Sequence, residues 1–281
     1  MQTFTTTDGL RLAYHVQGDG LPLLCLPGLT RNMADFEPLM AALDRPVRLI
    51  RLDPRGRGAS EHAPDPMTYN LVREGQDVLE LLDHLGVGRA VFLGTSRGGL
   101  VTMLLAPSHG ARIAGAILND IGPELDPRGL SRIMDYVGRP PAARTLDEAA
   151  ALTATAMGGE FPGLTAADWR PHVARWYVER GGRLHLRYDP RLRDALIAQG
   201  GAGPAPDLWP FFDALAGRPL AVIRGGNSDL LAAGTLETMA ARIPGLIAAT
   251  VPGRGHVPFL DEPEALAAIR TVIDRCAAGM Q

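Results

Sequence analysis

Short apolar runs alternate with segments of helical spacing along the first 120 residues of the chain. Residues 21–26 are almost wholly apolar and end at Pro27-Gly28, a pattern typical of a strand buried on both faces. Residues 72–85 carry apolar positions three and four apart, and Gly86 ends the pattern. Strands are predicted at 11–15, 21–26, 47–52, 90–93 and 113–118, and helices at 35–43, 72–85 and 98–106. This alternation predicts βα units around a mainly parallel sheet.

The alternation stops between residues 122 and 206. This stretch contains nine prolines, its patterns at 146–157 and 166–179 are helical, and it has no clear buried strand. The βα pattern then resumes, with strands at 220–223 and 246–251 and helices at 235–243 and 261–276. The sequence therefore predicts an α/β core domain formed by 1–121 and 207–281, with a helical insertion at 122–206 and a hinge at 200–204.

A possible nucleophile lies at the end of the strand predicted at 90–93. Residues 94–98 read Gly-Thr-Ser-Arg-Gly, which fits G-x-S-x-G, and a helical pattern begins directly afterwards. In this motif the serine occupies a sharp strand-to-helix turn, and the residues two before and two after it approach closely, so both must be very small. The motif and its context together predict that Ser96 is a nucleophile.

The expected general base is His256. It follows the last predicted strand and precedes the last predicted helix, so it belongs to a loop at the carboxyl ends of the strands, where open α/β sheets form their sites. The remaining histidines have weaker contexts, in an early strand, on a helix, in loops or in the insertion: His15, His62, His84, His109, His172 and His185. We expect those six to be structural or solvated.

Two aspartates could orient the histidine. Asp229 follows the strand predicted at 220–223, and Asp120 follows the strand predicted at 113–118. Both give the chain order nucleophile, acid, base. The sequence favours Asp229, because its loop should neighbour the histidine loop, and it assigns Asp120 to bracing the chain where it leaves the sheet.

Attack by a serine on a carbonyl creates an oxyanion that needs two N–H donors. One predicted donor is the backbone N–H of Arg97, the residue after the nucleophile. The other is the N–H of Leu29, in the loop after the strand predicted at 21–26, where Gly28 lets the backbone approach closely. A plain β-turn would also account for Pro-Gly at this position.

Composition narrows the possible chemistry. All 28 basic residues other than histidine are arginine, which excludes a Schiff-base lysine and a P-loop lysine. Cys25 and Cys276 are the only cysteines, too few for a disulfide framework or a cysteine metal site. The net charge of −3 and the lack of a dinucleotide fingerprint or an H-E-x-x-H motif predict no nucleic-acid partner, no metal and no cofactor. The polar residues 1–9 and the absence of an 18-residue apolar run predict a cytoplasmic protein with no membrane association.

These motifs together resemble the α/β-hydrolase superfamily over essentially the whole chain. Residues 53–60, Asp-Pro-Arg-Gly-Arg-Gly-Ala-Ser, look like that family's D-x-R-G-x-G-x-S loop, and residues 253–256 followed by Asp-Glu-Pro at 261–263 look like its C-terminal histidine region. The resemblance implies an α/β-hydrolase fold, with helices on both faces of the sheet and a helical cap over the active site. Relatives that act on haloalkanes and epoxides have Asp as nucleophile, so Ser96 argues against those two activities.

The resemblance and the predicted residues imply acyl transfer to water, with a small carboxylic ester, a lactone or an enol-lactone as substrate. Two alternatives stay open: a carbon–carbon bond hydrolase with the same three residues, and a non-catalytic receptor for a small molecule on the same fold. A cofactor-free perhydrolase or haloperoxidase reaction is a further rival. The oligomeric state is not determined by the sequence.

Specificity should lie in the insertion. Four of its arginines could bind a substrate carboxylate or could simply be solvated: Arg175, Arg180, Arg183 and Arg187. Five aromatic residues could line the pocket or belong to the core: Trp169, Trp176, Tyr177, Trp209 and Phe211.

Overall fold

A computed structural model describes residues 1–201 and 206–279 of the 281-residue chain. The described residues form ten strands: β1 (Gln2–Thr5), β2 (Arg11–Gln17), β3 (Leu21–Leu26), β4 (Val47–Leu52), β5 (Ala90–Thr95), β6 (Ile113–Asn119), β7 (Tyr177–Arg180), β8 (Arg183–Leu186), β9 (Leu220–Gly225) and β10 (Ile247–Val251). Eight of them make the central sheet, in the order β1-β2-β4-β3-β5-β6-β9-β10. The pairs from β4 to β10 are parallel, whereas β1–β2 and β2–β4 are antiparallel. The predicted, mainly parallel α/β sheet is confirmed.

Helices cover both faces of this sheet. The α-helices are α1 (Glu37–Ala42), α2 (Leu71–His84), α3 (Arg97–His109), α4 (Pro127–Tyr136), α5 (Leu146–Met157), α6 (Ala166–Trp176), α7 (Leu192–Gly200), α8 (Trp209–Asp213), α9 (Ala233–Arg242) and α10 (Pro263–Ala278). Side chains of α1 and α10 share one buried cluster, and those of α2, α3, α8 and α9 share the other. In β5, Val91 and Leu93 belong to the cluster shared by α1 and α10, and Phe92 belongs to the cluster on the other face of the sheet. Successive side chains of a strand point to opposite faces, so a strand buried on both faces contributes to both clusters.

The first strand was not expected from the sequence. Residues 2–5 read Gln-Thr-Phe-Thr, and only Phe4 is buried. β1 forms the edge of the sheet by antiparallel pairing with β2, so one apolar residue is its whole contribution to the core. A single buried position gives too little alternation to be read as a strand.

The stretch between β6 and β9 contains helices α4 to α8 and the hairpin β7–β8. α5 and α6 correspond to the helical patterns predicted at 146–157 and 166–179, but the second helix ends at Trp176, and a hairpin of mostly exposed or half-buried residues follows it, which the sequence analysis did not predict. A signal for the hairpin was present. Gly181 and Gly182 have φ of 57° and 70°, the left-handed angles that a two-residue hairpin turn demands. Residues 202–204 of the hinge predicted at 200–204 lie outside the described residues.

The insertion has a small core of its own, which includes Phe161, Trp169, Val173 and Leu184. Trp169 and Phe161 meet edge to face with ring centroids 5.1 Å apart. Phe259, which lies in the loop between β10 and α10, stacks on Phe161 at 5.4 Å. The insertion is thus packed onto the loop that carries His256.

We predict that Gly115 controls the packing of α10 on the sheet. A Cβ at this position in β6 would lie 2.6 Å from the Cys276 sulfur and 2.9 Å from the Pro219 carbonyl oxygen. Gly115→Ala should therefore lower the free energy of unfolding by about 1–3 kcal/mol through overpacking. Urea denaturation measures this change. Gly88→Ala is the control, because a Cβ there meets nothing within 4 Å, and an equal loss in both variants would contradict the prediction.

Candidate active site

Ser96 occupies a strained turn between β5 and α3, with φ of 49° and ψ of −114°. The turn is tight enough to require glycine on both sides. A Cβ at Gly94 would lie 2.4 Å from backbone atoms of Gly98 and Gly99, and a Cβ at Gly98 would lie 2.1 Å from the Leu26 carbonyl oxygen. These approaches are below any van der Waals contact, so the G-x-S-x-G spacing has a direct steric cause.

A continuous chain of hydrogen bonds connects Ser96, His256 and Asp120. The Ser96 Oγ lies 3.0 Å from His256 Nε2, and Asp120 Oδ2 lies 2.7 Å from His256 Nδ1. The Asp120 side chain is fully buried at the end of β6. Its carboxylate also accepts hydrogen bonds from the Gly225 N–H at 2.8 Å and the Ser228 hydroxyl at 2.6 Å. These bonds fix the position of the carboxylate.

Asp229, the acid expected from the sequence, has no hydrogen bond or ion pair with His256 among the described residues; Asp120 binds the Nδ1 atom instead, so the expected pairing is wrong. Its carboxylate pairs with Arg132 of α4 at 3.0 Å. The preceding residue, Ser228, is the one directed inward: its hydroxyl binds Asp120 and accepts hydrogen bonds from the N–H groups of the next turn. The turn after β9 therefore rotates Asp229 toward the insertion.

The path of the histidine loop explains why Asp120 is the partner. A Cβ at Gly225, the last residue of β9, would lie 2.3 Å from the Gly255 carbonyl oxygen. The loop therefore crosses directly over the end of β9 toward β6. Asn119 Nδ2 holds it there by donating to the Pro258 carbonyl oxygen at 3.1 Å, while also reaching Thr95 Oγ1 at 3.2 Å. Sequence analysis missed Asn119, although its position beside Asp120 at the strand end was a usable signal.

The two residues expected to supply oxyanion donors lie beside Ser96. Arg97 is the first residue of α3, and Leu29 follows Gly28, where a Cβ would lie 3.8 Å from that of Ser96. Neither backbone N–H has a hydrogen-bond acceptor within the part of the chain that the structure describes. The first N–H groups of a helix have no partner inside the helix, so that of Arg97 is available. The oxyanion role stays a prediction.

A cavity of about 590 Å³ opens onto Ser96 and His256. Its walls come from the sheet edge and from the insertion. Trp169, Trp176 and Tyr177 line it, whereas Trp209 packs against Phe212 instead. Of the four arginines considered for carboxylate binding, only Arg175 is in the lining, and it pairs with Glu37 at 3.2 Å. The other three are exposed on or next to the hairpin: Arg180, Arg183 and Arg187.

Three further arginines line the same cavity and were not singled out from the sequence. Arg31 pairs with Asp35 at 2.6 Å and lies 4.2 Å from the ring centre of Trp176. Arg132 binds Asp229 and also pairs with Glu160. Arg139 has no ion pair with any described residue. Nothing in their local sequence separates them from solvated arginines.

Within residues 1–201 and 206–279, no cluster of three or more His, Cys, Asp or Glu side chains is arranged to hold a metal ion. No helix in these ranges combines the length and apolar character needed to cross a bilayer.

Comparisons with known proteins identify the family of this chain. Residues 23–269 match the model of the alpha/beta hydrolase family. The chain is 35% identical over 268 residues to a 3-hydroxybutyrate-oligomer hydrolase of Cupriavidus necator, covering 92% of this chain and 90% of that protein. It is 28% identical over 260 residues to a 2-(acetamidomethylene)succinate hydrolase of Mesorhizobium japonicum, with the same two coverages.

A solved structure is also similar. The alpha/beta hydrolase of Novosphingobium aromaticivorans superimposes with a TM-score of 0.91 at 45% identity, covering 98% of this chain and 97% of that one. The family match spans most of the chain. The chain belongs to the alpha/beta hydrolase family, and its relatives are hydrolases.

Proposed function

We propose that this protein is a serine hydrolase that cleaves a small carboxylic ester or lactone through an acyl-enzyme intermediate. The observation that carries the proposal is the hydrogen-bonded chain from Asp120 through His256 to Ser96, at 2.7 and 3.0 Å, which ends in the 590 Å³ cavity. A hydroxyl, an imidazole and a buried carboxylate in this order are the groups that activate a serine nucleophile.

The proposed reaction has two halves. Ser96 Oγ attacks the ester carbonyl carbon while His256 Nε2 takes its proton, and the imidazolium then gives this proton to the leaving alkoxide. Water attacks the resulting acyl-serine with the same histidine as base, which releases the acid and restores the serine. Asp120 accepts the hydrogen bond from His256 Nδ1–H, which orients the ring and stabilises the imidazolium. The N–H groups of Leu29 and Arg97 are the proposed donors to the oxyanion.

The residues 122–206 are proposed to act as a cap that selects the substrate. The cavity lies in the size range of small-molecule pockets, and Trp169 and Trp176 of α6 line it. Four arginines among its lining, one of them without an ion pair in the described chain, suit a substrate that carries a carboxylate as well as the scissile ester. A short oligoester of a hydroxy acid has both groups, and the Cupriavidus necator relative is named for such a substrate.

Activity on esters tests the proposal first. We expect turnover of p-nitrophenyl butyrate and of 3-hydroxybutyrate dimers and trimers, and a fluorophosphonate probe should label one site, Ser96. Mass spectrometry of the labelled peptide and release of p-nitrophenol measure the two effects. Carbon–carbon substrates such as vinylogous diketones belong in the same panel. A protein that binds these compounds without turnover would be a receptor rather than a hydrolase.

A second Ser–His pair supplies the matched control for this experiment. Ser108 Oγ lies 2.9 Å from His109 Nδ1 on the exposed end of α3. Ser96→Ala should abolish both labelling and turnover, and Ser108→Ala should leave both at the wild-type level. Labelling that persists in Ser96→Ala would contradict the assignment of the nucleophile.

The two aspartates give a second prediction. Asp120→Asn should lower kcat by about 10⁴, because it leaves His256 in the wrong tautomer. Asp229→Asn should cost far less, because Asp229 binds Arg132 and not the histidine. Steady-state kinetics on folded protein, checked by circular dichroism, decide between them. A large loss of kcat in Asp229→Asn, together with a nearly wild-type kcat in Asp120→Asn, would contradict the assignment of Asp120 as the acid.

A third prediction concerns His172, which lines the cavity. Burial and the nearby charges of Arg175 and Arg31 lower its pKa from 6.5 to about 4, so it is neutral in the folded protein at neutral pH. The unfolded chain binds the proton more tightly, so this residue makes the protein less stable as the pH falls from 6.5 toward 4. His172→Gln should flatten the decline of the unfolding free energy in that window, as measured by urea titration at each pH. His185→Gln, at an exposed histidine, should keep the wild-type profile.

A further inference from the structure

Three buried, charged side chains next to the nucleophile take no direct part in the reaction described above. The Glu74 carboxylate of α2 pairs with Arg57 Nη1 at 2.8 Å and with Arg97 Nε at 2.7 Å. The exposed fractions of these side chains are 0% for Arg57, 6% for Glu74 and 9% for Arg97. Burial raises the pKa of Glu74, but the two guanidinium groups outweigh it and hold that pKa below its ordinary range. Glu74 is thus a carboxylate shared between two buried cations.

Each of those arginines is tied to one proposed oxyanion donor. Arg57 Nε donates to the Leu29 carbonyl oxygen at 2.9 Å, so it holds the residue that supplies the first N–H. Arg97 itself supplies the second N–H, and its side chain is anchored by Glu74 and by the Tyr69 carbonyl oxygen at 3.1 Å. One carboxylate therefore connects the loop after β3 to the start of α3.

We infer that Glu74 is a positioning residue that sets the relative placement of the Leu29 and Arg97 N–H groups. The inference rests on the proposed function, since an oxyanion exists only if Ser96 attacks a carbonyl. Oxyanion donors act by being fixed where the charge develops, and small displacements weaken them. The two donors come from different segments of the chain, so something must hold those segments in register. The Arg57–Glu74–Arg97 network, which we call the oxyanion brace, lies directly between them.

The same helix offers a matched control network. Asp77, one turn along α2, pairs with Arg55 at 2.6 Å, and both side chains are 1% exposed. Arg55 belongs to the same loop as Arg57, but its guanidinium reaches Asp77 and Asp8 and neither oxyanion residue. Both networks join a buried carboxylate of α2 to a buried arginine of this loop, but only the oxyanion brace contacts the residues of the proposed oxyanion donors.

The experiment compares Glu74→Gln with Asp77→Asn, and Arg57→Lys with Arg55→Lys. Active sites are counted with a fluorophosphonate, so that kcat refers to folded enzyme, and melting temperatures record the loss of stability. The substrate is p-nitrophenyl butyrate. The tetrahedral probe is butaneboronic acid, whose boron forms a bond to Ser96 Oγ while the hydroxyl proton moves to His256. Butyrate serves as the planar, non-covalent probe.

We expect Glu74→Gln and Arg57→Lys to lower kcat by about 10–100-fold, less than complete removal of a donor. KM should change little, since the lost interaction is made only in the transition state. The Ki of butaneboronic acid should rise by the factor by which kcat/KM falls, and that of butyrate should stay near its wild-type value. Asp77→Asn and Arg55→Lys should lose stability with near-normal kcat and boronate affinity.

Equal kcat and equal boronate affinity in the brace and control variants would overturn the inference while leaving the hydrolase intact. If Glu74→Gln does not fold, the Arg57→Lys and Arg55→Lys pair decides the same question, because lysine keeps the charge and loses the guanidinium fork. A wild-type protein that neither cleaves the ester nor binds the boronate would overturn the proposed function together with this inference.

Discussion

The geometry around Ser96 depends on one close crossing of the backbone. The loop that carries His256 passes over the end of β9 at Gly225, where a Cβ would lie 2.3 Å from the Gly255 carbonyl oxygen. This crossing brings the imidazole past the β9 strand end and within 2.7 Å of the Asp120 carboxylate. The Asn119 side-chain amide then holds the loop by donating a hydrogen bond to the Pro258 carbonyl oxygen. Without glycine at 225, the loop would be displaced outward and the histidine would lose its buried partner.

How much of this could be read from the sequence depends on whether each feature is local. Ser96 was predictable because its steric needs are met by glycines two residues away, and His256 because it follows the last strand. The acid was not, because Asp120 and Asp229 have equivalent chain positions after neighbouring strands. Only the path of the histidine loop and the turn at Ser228, which rotates Asp229 toward Arg132, separate them. Both are tertiary features.

The insertion also has some features that local sequence predicts and others that depend on tertiary packing. Its helices α5 and α6 follow from apolar spacing, and the glycine pair at 181–182 is a local signal for the hairpin turn. The lining of the cavity could not be predicted, because it depends on how α4 and α6 lie over the sheet. Arg132 and Trp176 reach the cavity, whereas Arg183 on the hairpin is exposed, and their sequence neighbourhoods give no reason for the difference.

The oxyanion brace buries three charged groups, and this carries a desolvation penalty. Replacing a buried ion network by apolar residues of similar volume is often neutral or stabilising, whereas removing one partner costs several kcal/mol. Stability is therefore a weak reason for this chain to place Arg57, Glu74 and Arg97 together. Apolar side chains could fill the same space, but they could not donate a hydrogen bond to the Leu29 carbonyl oxygen, as Arg57 does at 2.9 Å. They also could not fix the orientation of a guanidinium group, as a carboxylate does. Charged, directional bonds are what a site needs when two N–H groups from separate segments must point at one atom.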